Sequence, residues 1–161
     1  RQEMKKAGAD FHLLTSPEDI MWLLNIRGAD LQYTPVLLCY GLVGMEQILL
    51  FINEAKIPLK LASLFDSLGI VILPYDDFDD IVTEVTNGHS LMLNPQTTSF
   101  DLFSSVSKRS SIIEDIGIPA RMKAVKNNTE IENIGKPMVK DGEALPRLYH
   151  WFETNHGTTS M

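Results

Sequence analysis

Val36-Leu-Leu-Cys-Tyr-Gly-Leu-Val43, then Gly44-Met-Glu46, then Gln47-Ile-Leu-Leu-Phe-Ile52, is the stretch that decides the fold. Two short apolar runs separated by a turn predict a hairpin. Neither run alternates polar with apolar residues, so both strands are expected to be buried on both faces. A sheet covered on both faces needs helices on each side, which places the chain in the α/β class.

The pattern extends outward from this hairpin. Upstream, Arg1 to Ala9 is polar and helix-prone, and Phe11-His-Leu-Leu-Thr15 is a short candidate strand. Ser16-Pro-Glu-Asp19 starts a helix: Ser16 caps, Pro17 suits the first helical position, and the two acids favour the positive end of the dipole. Ile20, Leu23 and Leu24 form its apolar stripe, and Gly28 is expected to close it. Downstream, Leu61, Leu64, Phe65 and Leu68 are spaced as a helix ended by Gly69. Ile70-Val-Ile-Leu73 is a strand stopped by Pro74. Phe78, Ile81, Val82 and Val85 give a second helical stripe, ended by Asn87-Gly88. Ser90-Leu-Met-Leu93 is a strand, Phe100 to Ser107 a short helix, and Ser110 to Glu114 another strand. This alternation predicts that part of the sheet is parallel. Pro119 is expected to mark a turn. Asn127 with Glu130 has the spacing of a capping box. A long helix follows with Ile131, Ile134, Met138, Leu145, Leu148 and Phe152 on one face. Pro137 and Pro146 predict that it kinks or splits, because an interior proline costs about 3 kcal/mol.

The length of 161 residues allows one domain and a tail, not two full domains. Apolar residues at 44% and charged residues at 22% are those of a globular chain, which argues against disorder. The formal charge of −7, without a basic block, gives no electrostatic footprint for nucleic acid or anionic membrane. No apolar run approaches the ~18 residues of a membrane span. The lone Cys39 fits a reducing, cytoplasmic setting. The chain opens at Arg1 without Met and closes at Gly157-Thr-Thr-Ser-Met161, so it is expected to be an excerpt of something longer.

Tyr75-Asp-Asp-Phe-Asp-Asp80 is the densest acidic cluster. Hard divalent cations favour several carboxylates. The simpler reading is a helix start, with Phe78 facing inward and Asp76, Asp77, Asp79 and Asp80 facing water. His12, His89, His150 and His156 have no zinc spacing, and His12 and His89 are expected to be structural. No nucleophile motif or phosphate loop appears, and nothing around Cys39 would lower its pKa. Ser104, Ser105 and Ser107 to Ser111 with Lys108 and Arg109 could hold an anion, but read better as a connecting loop. Trp151 and Phe152 carry interface character. No catalytic, cofactor-binding or metal-ligating residue is assigned within the chain.

Asp19-Ile-Met-Trp-Leu-Leu-Asn-Ile-Arg-Gly-Ala-Asp30 with Tyr33-Thr-Pro-Val36 resembles the Xaa-Pro aminopeptidases (aminopeptidase P) of the three-domain type. Leu50-Phe-Ile52, Lys123-Ala-Val-Lys-Asn127, Lys140-Asp-Gly-Glu-Ala-Leu145 and His150-Trp-Phe-Glu153 extend the resemblance over nearly the whole chain. It implies that residues 1–122 form a creatinase/prolidase N-terminal domain, a ribonuclease-H-like mixed sheet flanked by helices. Residues 123–161 would be a linker and the first helix of a "pita-bread" catalytic domain. The resemblance further implies a parent metallopeptidase of family M24 that removes an N-terminal residue preceding proline. Two divalent metals, typically manganese, would be held by ligands outside this chain. The present chain would be inactive alone and would supply an active-site wall and subunit contacts. Its partners would be the other domains of its parent, with a homodimer through the C-terminal helix as a further candidate. Met138 stands where the family often carries a substrate-contacting His. The alternative is therefore a pseudo-peptidase protein-binding module, the use made of this fold in the large subunit of the FACT histone chaperone.

Overall fold

The structure, a computed structural model, describes residues 1–156. Two compact units divide the chain, Arg1–Lys123 and a second unit from Ala124 on.

In the first unit the elements run α1 (Gln2–Ala7), β1 (Phe11–Leu14), α2 (Pro17–Leu24), β2 (Cys39–Val43), β3 (Ile48–Ile52) and α3 (Leu59–Ser67). They continue with β4 (Ile70–Leu73), α4 (Phe78–Val85), β5 (Ser90–Leu93), α5 (Phe100–Val106), β6 (Ser111–Glu114) and α6 (Ile118–Ala124). The strands form one mixed sheet in the order β4-β3-β2-β1-β5-β6. β2 is antiparallel to both β1 and β3, and the β3–β4, β1–β5 and β5–β6 pairs are parallel. The expected hairpin is thus present, with Gly41 opposite Leu50 and Leu42 opposite Leu49.

Successive strand residues enter opposite layers. Leu14, Cys39, Leu50, Ile52 and Met92 join Ile20, Met21, Phe65 and Ile118 on one face. Leu13, Leu42, Phe51, Leu91 and Leu93 meet Phe78, Val82, Leu102 and Val106 on the other. Leu50, Phe51 and Ile52 are wholly buried, as a two-faced central strand requires. Ser16 caps α2 by accepting the Asp19 N–H, and Ser99 caps α5 by accepting the Leu102 N–H.

Four expectations are corrected. β2 begins at Cys39 rather than Val36, because Pro35 to Leu38 are engaged by a preceding loop: Gly28 N–H donates to Pro35 O and Asp30 N–H to Val36 O. α2 ends at Asn25, in the left-handed conformation at φ 51, before Gly28 is reached. Pro119 lies in the first turn of α6, where its missing N–H has no intrahelical role.

The fourth correction concerns α7 (Asn128–Asn155), the main element of the second unit. It runs unbroken through Pro137 and Pro146, so it does not split. Each proline removes one rung of the i→i−4 ladder, and the intervening turns keep theirs. Asn127 accepts the Glu130 N–H at 2.9 Å while the Glu130 carboxylate accepts the Asn127 N–H at 2.8 Å, completing the capping box. No side chain of α7 is buried. Residues 157–161, the end of the expected tail, lie outside the described residues.

Candidate functional site

Five of the six strands point the same way, so their carboxyl ends meet at one edge of the sheet. Open α/β sheets bind ligands outside such ends. Two clefts open along this edge, of about 450 Å³ and 330 Å³, and both are bordered by Tyr75 and Asp76. The larger is walled by Leu38, Ile52, Lys56, Leu73 and Pro74. The smaller is walled by Thr15, Tyr40, Phe78, Thr97 and Ser99.

The wall between the clefts is aromatic and follows from local sequence. Pro74 ends β4, and Tyr75–Asp77 makes one tight turn into α4. Burial of Phe78 then fixes the ring stack: Tyr40 lies 3.9 Å from Phe78 and 5.2 Å from Tyr75, and Phe51 meets Phe78 edge-on at 5.2 Å. Hydrogen bonding to Tyr40, with burial, pushes the Tyr75 phenol up to about 12. Thr15 and Thr97 hydroxyls close the far side at 2.9 Å. This lining of rings, hydroxyls and rim carboxylates suits binding; it contains no activated nucleophile.

Asp76, Asp77, Asp79 and Asp80 are exposed around the start of α4, with Phe78 buried between them. Among the described residues no three His, Cys, Asp or Glu side chains converge as metal ligands. His89 is half-exposed, 3.6 Å from Asp10 and edge-on to Phe11. His150 is exposed on α7, and His156 ends that helix with Nδ1 2.8 Å from Glu153 O. Cys39 is buried, and burial with the nearby Asp30 charge pushes its thiol up to about 12, so it is not an attacking group. Lys108 and Arg109 border a separate surface depression with Asp79, Asp80, Glu84 and Asp101, so acids already face them. Ser110 donates to Thr86 O at 2.7 Å and belongs to the turn between α5 and β6. Trp151 and Phe152 are about half exposed on α7.

Two features were not legible beforehand. His12 is buried on β1 beneath the turn into α6, where a Cβ on Gly117 would lie 3.8 Å from His12 Nε2 and 4.0 Å from Asp19 Oδ2. Two ion pairs flank this turn, Asp115–Arg121 and Asp19–Lys123. The second feature is the loop 28–38. Its tip, Tyr33, has φ 66 and is 95% exposed. A left-handed conformation costs a residue with a side chain roughly 1–2 kcal/mol. The loop is held at its stem, where Asp30 Oδ2 accepts from Leu38 N–H and from Lys56 Nζ, both at 2.7 Å. Lys56 and the Leu38 amide hold the Asp30 carboxyl below its ordinary range. Gly28 allows the close approach, since a Cβ there would meet Leu37 Cγ at 2.2 Å. The sequence signal for this loop is Tyr33-Thr-Pro35, a turn that apolar periodicity does not reveal.

Comparison with known proteins gives three findings. The profile of the creatinase/prolidase N-terminal domain matches residues 1–130. Xaa-Pro aminopeptidase 1 of Dictyostelium discoideum is 36% identical over 95% of this chain and 24% of its own length, and a probable Xaa-Pro aminopeptidase P of Laccaria bicolor is 32% identical over 98% and 25%. The solved X-prolyl aminopeptidase of Caenorhabditis elegans, described as a cytosolic enzyme with a di-nuclear active site, superposes with a TM-score of 0.75 at 26% identity, over 96% of this chain and 26% of its own. The chain thus spans about a quarter of the length of the relatives it matches.

Proposed function

This chain belongs to the creatinase/prolidase N-terminal domain family, and from that premise we propose that it is a non-catalytic part of a metal-dependent Xaa-Pro aminopeptidase. The observation that carries the reading is the extent of the likeness. It covers 95% of the chain, beyond the 130 residues of the domain match and into α7. Residues 1–122 are then the domain that walls the active site. Residues 123–161 are the linker and first helix of the catalytic domain, and the exposed apolar face of α7 is covered by the rest of that domain. The whole protein is cytoplasmic and removes the residue preceding proline from peptides.

Two divalent metals, manganese by the family resemblance, do not fit this chain. No ligand set converges among its described residues, so the ions would be held elsewhere in the parent. Such ions would activate water for attack on the peptide carbonyl. What these residues supply is shape: a rigid sheet whose carboxyl edge carries the aromatic wall.

A second reading, a pseudo-peptidase binding module, is favoured by Met138. Its thioether cannot supply the charge or N–H that an imidazole gives a substrate. A fluorogenic Xaa-Pro peptide with manganese tests both readings. The full-length protein is expected to turn it over and the 161-residue chain is not. Turnover that follows the short chain through purification overturns the non-catalytic assignment. An inert full-length protein with a folded catalytic domain supports the binding module.

A further inference from the structure

We infer that the loop 28–38 and the cleft beside it form a docking face for a segment of the same polypeptide lying outside these 161 residues, with Tyr33 as its anchor. The inference rests on the reading of the chain as part of a larger protein.

Tyr33 combines two features that nothing among the described residues offsets: a left-handed backbone at φ 66 and a side chain 95% exposed. Strained residues persist where surrounding structure over-determines them, and they concentrate at sites of binding. The surroundings here do so. Thr34 N–H donates to Leu31 O at 3.3 Å to close the turn, and Asp30 clamps the stem through the Leu38 amide and Lys56. A rigidly presented aromatic side chain loses little conformational freedom when a partner covers it, as at interface anchors.

The loop is continuous with the larger cleft, since Leu38 and Lys56 line that cleft and are both held by Asp30. Knob and hollow therefore form one face. The Lys56 charge is matched by Asp30, whereas Glu54 and Asp76 remain on the cleft border. A complementary segment brings an apolar surface for Tyr33 and Leu38 and a basic group for the cleft. The occupant is the protein's own remainder because relatives that align with 95% or more of this chain extend to about four times its length.

Tyrosine acylation by N-acetylimidazole, read by mass spectrometry, tests this on the full-length protein and on the 161-residue chain. Tyr33 is expected to react in the short chain and to lose its reactivity in the full-length protein at every protein concentration. Equal reactivity in both overturns the inference. Protection of the short chain that grows with its concentration assigns the face to a second copy and also overturns it. Tyr33→Asn gives an independent reading, because Asn tolerates the left-handed backbone. It is expected to raise the melting temperature of the short chain by about 2–4 °C and to lower that of the full-length protein, and the same direction in both overturns the inference. Shielding of Tyr33 in a full-length protein that cleaves no Xaa-Pro bond upholds the docking face while removing the peptidase reading. Cleavage with Tyr33 still reactive does the reverse.

Discussion

His12 is 2% exposed, and its Nε2 has no hydrogen-bond partner among the described residues. Burial pushes its pKa down to about 4, against the attraction of Asp115 and Asp19 and with the repulsion of Arg121 and the amino terminus. The folded value lies below the ordinary 6.5, so between 6.5 and 4 the unfolded chain takes up the proton and the folded chain resists it. Stability is therefore fully present above 6.5 and falls with pH toward 4, by an amount of order 3 kcal/mol. Urea unfolding across that window is expected to show this slope in the native chain and to lose most of it in His12→Leu. The same variant is expected to lose no more than about 1 kcal/mol at pH 7, since it removes an unsatisfied polar atom along with the ring. Parallel slopes in the two proteins would end this account. The depressed carboxyls of Asp10, Asp30 and Asp115 act below their ordinary 3.8 and that of Glu3 below its ordinary 4.5, so from 6.5 down to 4.5 the window belongs to His12. The sequence marked His12 as structural at the start of a strand. It could not show its setting, because Asp19, Asp115 and Arg121 come from three separate segments that only the folded layer brings together.

Among the elements, local patterns were legible wherever one residue type decides the geometry. Ser16 and Pro17 start α2, Pro74 ends β4, and Asn127 with Glu130 begins α7. Proline departs from the expected turn at Pro119, and α7 does not split at Pro137 or Pro146; a proline's cost depends on position, being small in a first turn and large in an interior. In α7 the interior cost remains, and Gly135 and Gly142 add to it. Replacing Pro137 and Pro146 by Ala restores two backbone donors and is expected to stabilise α7 locally by up to about 3 kcal/mol per site. Amide exchange within α7 measures it. Unchanged protection in the double variant would show that the prolines are already accommodated without strain.

The whole molecule depends on pairings that no local pattern encodes. The hairpin and the presence of parallel strands were legible, but not the central place of β1, which pairs antiparallel with β2 and parallel with β5. The candidate site is a product of that order, since Thr15, Tyr40, Tyr75 and Thr97 come from four different strand ends. The second unit poses the opposite case, a surface legible in sequence whose cover lies elsewhere. Ile131, Ile134, Met138, Leu145, Leu148 and Phe152 follow a heptad spacing along α7, and each is exposed. Lys136 pairs with Glu132 and Arg147 approaches Glu143 away from that seam, so the helix has distinct polar and apolar sides. Covering one Leu or Phe side chain is worth ~1.5–3 kcal/mol, and a stripe of this length exceeds what a soluble monomer leaves in water. In the proposed parent the catalytic domain covers it. In the 161-residue chain the available cover is a second copy, although Asp141 at a core position of the seam costs such a pairing stability. Sedimentation is expected to show concentration-dependent dimers of the 161-residue chain and monomers of a chain ending at Lys126. Dimers of both would place the contact on the first unit. Monomers of both at high concentration, with Trp151 and Phe152 shielded from quenchers, would mean that the stripe is covered within its own chain, and the expectation of a partner for α7 would then fail.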